Sequence, residues 1–126
     1  VVVGLAIELV RLEDLRRDLA EGGVAWRDAV FTHQEQQDCL DRADVAPGLA
    51  ARLAAKSAAL CALGAPEGAS LADVEVEREP SGRPRLVLHG SAREAARRLG
   101  ATELHVTLTH SVAHALAVVL MENASP

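Results

Sequence analysis

The segment Arg52-Leu-Ala-Ala-Lys-Ser-Ala-Ala-Leu-Cys-Ala-Leu-Gly64 constrains this chain more than any other stretch. Alanine and leucine lead the helix-propensity scale, so it reads as one helix. Gly64 supplies a natural C-terminal stop. Ala54, Ala55, Ala58, Ala59 and Ala62 are small and lie on more than one side of that helix. Neighbouring elements can therefore approach its backbone closely from several directions. Composition matters here because the remaining residues have to supply the bulk that the alanines lack.

That bulk is aliphatic. Hydrophobic residues make up 49% of the 126, enough for the core of one domain spanning 1–126. Trp26 and Phe31 are the only aromatics. A core of Ala, Val and Leu gains less burial per residue than one with aromatics, which favours association with further copies. A net charge of −5 argues against nonspecific binding of nucleic acid, although an acidic protein can still dock on a local basic face. Cys39 and Cys61 form no metal motif with a nearby histidine and fit a reduced, cytoplasmic setting. The apolar run Val1 to Ile7 is interrupted by Glu8, so it reads as a buried strand rather than a membrane span or signal peptide.

Along the chain, Val1 to Val10 reads as a strand and Leu12 to Ala20 as a short amphipathic helix ended by Gly22-Gly23. Thr32 and Glu35 form a capping box at the start of a helix running to about Arg42. After the central helix, Val74 to Glu77 alternates as a half-buried strand. Pro80-Ser81-Gly82 turns it into a return strand from Pro84 to Leu88. Ser91, as cap, opens a helix that Gly100 stops, and strands Leu104 to Thr109 and His114 to Met121 close the chain. This order, β-α-α-α-β-β-α-β-β, defines an α+β domain.

Five stretches then carry a resemblance. They are the opening Val3-Gly4-Leu5-Ala6-Ile7-Glu8-Leu9-Val10-Arg11-Leu12, the helix start Phe31-Thr32-x-x-Glu35, and Arg52, Lys56 and Ala62-Leu63-Gly64 of the central helix. The others are Gly82-Arg83-Pro84 in the hairpin and His105-Val106-Thr107-Leu108-Thr109-His110 near the end. In this order and spacing the chain resembles the AcpS-type holo-acyl-carrier-protein synthases, small 4′-phosphopantetheinyl transferases. The resemblance implies an α+β fold with a small antiparallel sheet packed on a long central helix. It also implies a homotrimer with coenzyme A sites between neighbouring subunits. The family reaction moves phosphopantetheine from coenzyme A to a carrier-protein serine and releases 3′,5′-adenosine bisphosphate.

The same resemblance implies site residues. Glu8 falls at the position of a magnesium-binding Asp, Ser57 at that of the second magnesium ligand, a Glu, and Cys61 at that of a phosphate-binding Lys. Arg52, Lys56, Gly82, Pro84, His105, Thr107 and Thr109 are the implied contacts to coenzyme A. Glu8, Ser57 and His110 are the candidate catalytic groups. An acyl or peptidyl carrier protein is the implied partner, docking on Arg11, Arg16 and Arg17; neither nucleic acid nor membrane is implied. Glu13, Asp14 and Asp18 dilute that basic face, so a mixed solvated surface is an equal reading.

Ser57 removes a negative charge and Cys61 a positive one, a helical turn apart on one face. Those two losses partly balance, and together with the longer Glu8 they argue against ordinary transferase activity. Magnesium demands near-ideal octahedral oxygen geometry. Three readings stay open: a divergent transferase; an enzyme repurposed for carrier-tethered or coenzyme A-linked substrates in polyketide or secondary metabolism; and a non-catalytic binding protein. The second would pair Glu8 with His105 or His110 as an acid/base couple on neighbouring strands. Simpler readings stand beside each residue. His33 is a solvated helix residue, Ser57 a packing residue, Cys61 a small buried hydrophobe and Lys56 a helix-face charge. His110 and His114 flank a turn rather than share a helix face, which discounts a zinc pair.

Overall fold

The computed structural model describes residues 1–40 and 42–125. Strand β1 (Val2–Arg11) runs into helix α1 (Leu12–Val30), followed by α2 (His33–Leu40) and the central α3 (Ala46–Ala62). A single 3-10 turn, Leu71–Asp73, precedes the hairpin β2 (Val74–Arg78) and β3 (Pro84–Leu88). Helix α4 (Gly90–Leu99) then leads to β4 (Glu103–His110) and β5 (His114–Glu122). β1, β5 and β4 form an antiparallel sheet with β5 in the middle, and β2–β3 form a second, two-stranded sheet. The element order expected from the sequence is the one observed. No helix among the described residues is long and apolar enough to cross a membrane.

Strand alternation sets the two faces of the larger sheet. Ala6, Glu8 and Val10 of β1, with Ala115, Ala117, Val119 and Met121 of β5, face inward toward α3. Leu5, Ile7 and Leu9 point the other way and stay exposed. The opening strand is thus only half-buried, where continuous burial was expected, because none of the described residues covers its outer face.

The alanines of α3 do what their size suggests. Ala54, Ala55, Ala58, Ala59 and Ala62 pack with Val74, Val76, Ala117, Val119 and Met121 in one core cluster. A Cβ on Gly4 would lie 2.5 Å from the Ala62 carbonyl oxygen, so β1 passes over the end of α3 at a distance only glycine permits. A second cluster gathers Leu12, Leu15, Phe31, Cys39, Leu49 and Ala50 around the other half of α3. Burying a side chain such as Leu15 is worth about 1.5–3 kcal/mol.

Local signals mostly hold at the helix ends. The capping box forms: the Thr32 N–H donates to Glu35 Oε1 at 2.8 Å, and the Glu35 N–H donates to Thr32 Oγ1 at 3.2 Å. α2 ends at Leu40; its expected extension to Arg42 passes through Asp41, which lies outside the described residues. Gly64 and Gly100 follow their helices with φ of 83° and 80°. Two expectations need correction. Gly23 breaks α1 with φ 60° and ψ −151°, but the chain resumes helix as far as Val30 because Trp26 and Val30 find apolar contacts there. Ser91 is not the cap of α4: the helix begins at Gly90 with His89 in the cap position, and no side chain closes it.

Candidate functional site

α3 and β1 bring the first group of expected residues together. Glu8 reaches inward from β1, and the exposed end of α3 brings Cys61 Sγ to 3.5 Å from Glu8 Oε1. Ser57 sits one turn earlier on the same helix face and is partly buried. Cys61 is therefore not the buried hydrophobe that its neighbours suggested. Its thiol donates to Glu8, and that hydrogen bond, followed by slight desolvation and the carboxylate charge, pushes the thiol above its usual value. These three side chains carry one formal charge, the negative one of Glu8.

The donor set decides whether a magnesium ion suits this group. Magnesium takes hard oxygen ligands in octahedral array, commonly one or two carboxylates with water and substrate phosphates. Here the lone carboxylate is engaged by a thiol, and the position one turn before it offers only a neutral hydroxyl. Glu8, Ser57 and Cys61 do not fit magnesium.

A second depression, of about 260 Å³, opens beside the first half of α3. Arg42, Arg52, Arg78 and His110 converge on it, with Asp38 and Asp44 on its rim. Arg52 is nearly buried; one of its terminal nitrogens donates to the Gly48 carbonyl at 3.2 Å, while its Nε has no partner among the described residues. Gly48 leaves room for the Cys39 sulfur, which would stand 2.9 Å from a Cβ at that position. Burial pushes the Cys39 thiol up. The pocket is suited to an anionic group such as a phosphate. Sequence reasoning found Arg52 and His110 but missed Arg42 and Arg78. Those two stand 36 positions apart (78 − 42) and share no local spacing, so only the fold joins them.

Other expected residues are dispersed. Lys56 is fully buried, with Nζ 2.6 Å from Glu35 Oε1. Glu35 Oε2 accepts the Val76 N–H at 2.8 Å, so the pair ties α2, α3 and β2 together. Desolvation lowers the Lys56 pKa, with Glu35 opposing that shift. Neither a surface helix charge nor a contact to bound coenzyme A matches this placement, because the ammonium is enclosed and already neutralised. Gly82 lies in the β2–β3 connection with φ of 89°, and Pro84 opens β3 opposite Arg78. His105 and Thr107 point to the outer face of β4, while Thr109 lines the cationic pocket beside His110. β5 separates β1 from β4, and His105 faces away from Glu8. The proposed Glu8–histidine couple is not assembled; the His105 partner is Glu122, at 2.8 Å. His33 is exposed, as expected, and His114 begins β5.

The three arginines expected to meet a partner are all engaged. Arg11 pairs with Glu13, Arg17 with Asp14, and Arg16 with Asp44 through both terminal nitrogens. The Arg16 hydrogen bond, helped by the Ala46 N–H, holds the Asp44 carboxyl below its usual value. These pairs are solvent-exposed and therefore weak.

Solved structures share this architecture over nearly the whole chain. The holo-[acyl-carrier-protein] synthase from Neisseria meningitidis superposes with a TM-score of 0.87 at 20% identity, covering 97% of this chain and 99% of that one. The Helicobacter pylori synthase, solved in complex with coenzyme A, gives 0.81 at 20% identity, covering 94% and 99%. The fold class is thereby fixed as the α+β fold of the AcpS-type synthases. No protein-family model matches the chain. A holo-[acyl-carrier-protein] synthase of Anaeromyxobacter sp. (strain K) is 43% identical over 129 aligned residues, covering 99% of both proteins. At that similarity across the full length, this chain belongs to the holo-[acyl-carrier-protein] synthase family.

Proposed function

We propose that this protein binds coenzyme A, or a phosphopantetheine-linked relative of it, together with an acidic acyl carrier protein. We further propose that metal-assisted transfer of phosphopantetheine is lost or much reduced. Kinship along the whole chain supports the ligands. The cationic pocket of Arg42, Arg52, Arg78 and His110 supports an anionic one.

The observation that carries the reduced transfer is the contact between Cys61 and Glu8. Attack on a diphosphate accumulates negative charge, and catalysis depends on groups placed to neutralise it. Glu8, Ser57 and Cys61 offer a carboxylate, a hydroxyl and a raised-pKa thiol, none of which supplies a positive charge. Pairing of Glu8 with a histidine, the basis of the repurposed-enzyme reading, has no geometric support. The apolar outer face of the sheet supports the homotrimer implied by the family, in which cofactor sites would be completed by neighbouring copies.

Incubation with apo-carrier protein, coenzyme A and magnesium, read by mass spectrometry, tests this reading. The native chain is expected to add little or no phosphopantetheine mass, while a Ser57→Glu, Cys61→Lys variant adds it. Rapid transfer by the native chain would refute the reduced-activity reading. Calorimetry showing no coenzyme A binding by the native chain would refute the binding reading.

A further inference from the structure

Two carboxylates stand on the rim of the cationic pocket, and their partners differ. Asp38 accepts the neutral side-chain amide of Gln34, at 2.9 Å. Asp44 instead has a cation of its own: one terminal nitrogen of Arg16 donates to Oδ1 at 3.1 Å and the other to Oδ2 at 2.8 Å. Arg16 lies outside the pocket lining, on α1, where the buried Leu12 and Leu15 fix how that helix presents it. The Ala46 N–H, at the start of α3, also donates to Asp44 Oδ1, at 3.1 Å.

We propose that Arg16 is a positioning residue of this pocket: it holds Asp44 and cancels its charge, so that an anionic ligand can bind alongside. The inference rests on the reading that the pocket takes a phosphate-bearing ligand such as coenzyme A. Arg42, Arg52 and Arg78 face Asp38 and Asp44 there, so two bare carboxylates would offset most of the positive charge. A carboxylate a few ångströms from a bound phosphate repels it. Arg16 removes that repulsion at Asp44 without occupying the pocket itself.

Two features fit this role. The Arg16 hydrogen bond, followed by that of the Ala46 N–H, holds the Asp44 carboxyl below its usual value. Its charge is therefore permanent near neutral pH and has to be countered rather than protonated away. Both Asp44 oxygens are also taken by one guanidinium fork, a two-point geometry that arginine supplies and lysine does not. An arginine that the sequence suggested for a partner's surface thus serves the ligand pocket from the next helix.

Titration calorimetry of the intact protein with coenzyme A at low salt is the test. Arg16→Gln should raise the Kd roughly two- to fivefold, the scale of one unit charge acting through water over a few ångströms, while circular dichroism stays native. Asp44→Asn, which keeps an acceptor for the Ala46 N–H, should bind at least as tightly as the native chain. Arg16→Gln combined with Asp44→Asn should restore the native Kd, a recovery that a purely structural loss would not show. The Arg16→Gln deficit should also shrink at about 1 M salt, where the screening length falls to about 3 Å. Arg52→Gln, the control for the pocket, should weaken binding more strongly. If Arg52→Gln weakens binding and Arg16→Gln does not, the role of Arg16 is refuted while the binding reading stands. A double variant as weak as Arg16→Gln alone, or a deficit indifferent to salt, would likewise overturn it. A native chain that binds no coenzyme A overturns both.

Discussion

Cys61 shows how one contact sets the chemistry of a side chain. Only the thiolate reacts readily with an alkylating agent, and the Glu8 hydrogen bond and charge hold the proton on sulfur. An exposed thiol that ought to react quickly is thus held back at neutral pH. Because its pKa is raised, the thiolate fraction at pH 8 lies below that of a free cysteine and grows only as the pH climbs through the elevated value. Glu8→Gln removes the charge, so the alkylation profile of Cys61 should move to lower pH, with a faster rate at pH 8. Iodoacetamide labelling followed by mass spectrometry measures this directly; superimposable profiles would show that Glu8 does not control the thiol. Cys39, being buried, should label only on unfolding. The sequence marked Cys61 as a departure from its family but not its exposure, which depends on where the last turn of α3 meets β1.

At the level of elements, α3 is held by a charge pair as well as by alanine packing. Removing one partner of a buried pair leaves the other charge uncompensated, at a cost of about 3–5 kcal/mol. Lys56→Met should therefore lower stability by about that amount, measured by urea unfolding. Adding Glu35→Gln to that variant should recover part of the loss, because no bare charge then remains inside. A loss below about 1 kcal/mol in Lys56→Met would mean that Glu35 is not enclosed as described. The Thr32-x-x-Glu35 spacing disclosed the capping box, since both halves of that motif are local. It could not disclose that the same carboxylate also receives Lys56 from α3 and the Val76 N–H from β2.

For the whole molecule, the open question posed by the fold is what covers the outer sheet face. Leu5, Ile7 and Leu9 are 64%, 63% and 57% exposed, and Leu116, Val118 and Leu120 of β5 lie beside them. A contiguous apolar surface of this kind on a net-acidic protein marks an association site. Light scattering coupled to size exclusion should give three times the 13.3 kDa chain mass. Ile7→Asp should shift the protein to monomer with its far-UV spectrum preserved. A monomeric native chain would refute the trimer.

Sequence alone determined the order of elements, the helix stops at Gly64 and Gly100, the hairpin and the family. Each depends on short-range backbone preference or on motifs read in line. Tertiary structure decided the rest: that Lys56 is locked inside, that Glu8 meets Cys61 rather than a histidine, and that Arg42 and Arg78 join Arg52. Those pairings arise where distant segments cross, and their distances follow from sheet order and helix packing. No spacing along the chain encodes them.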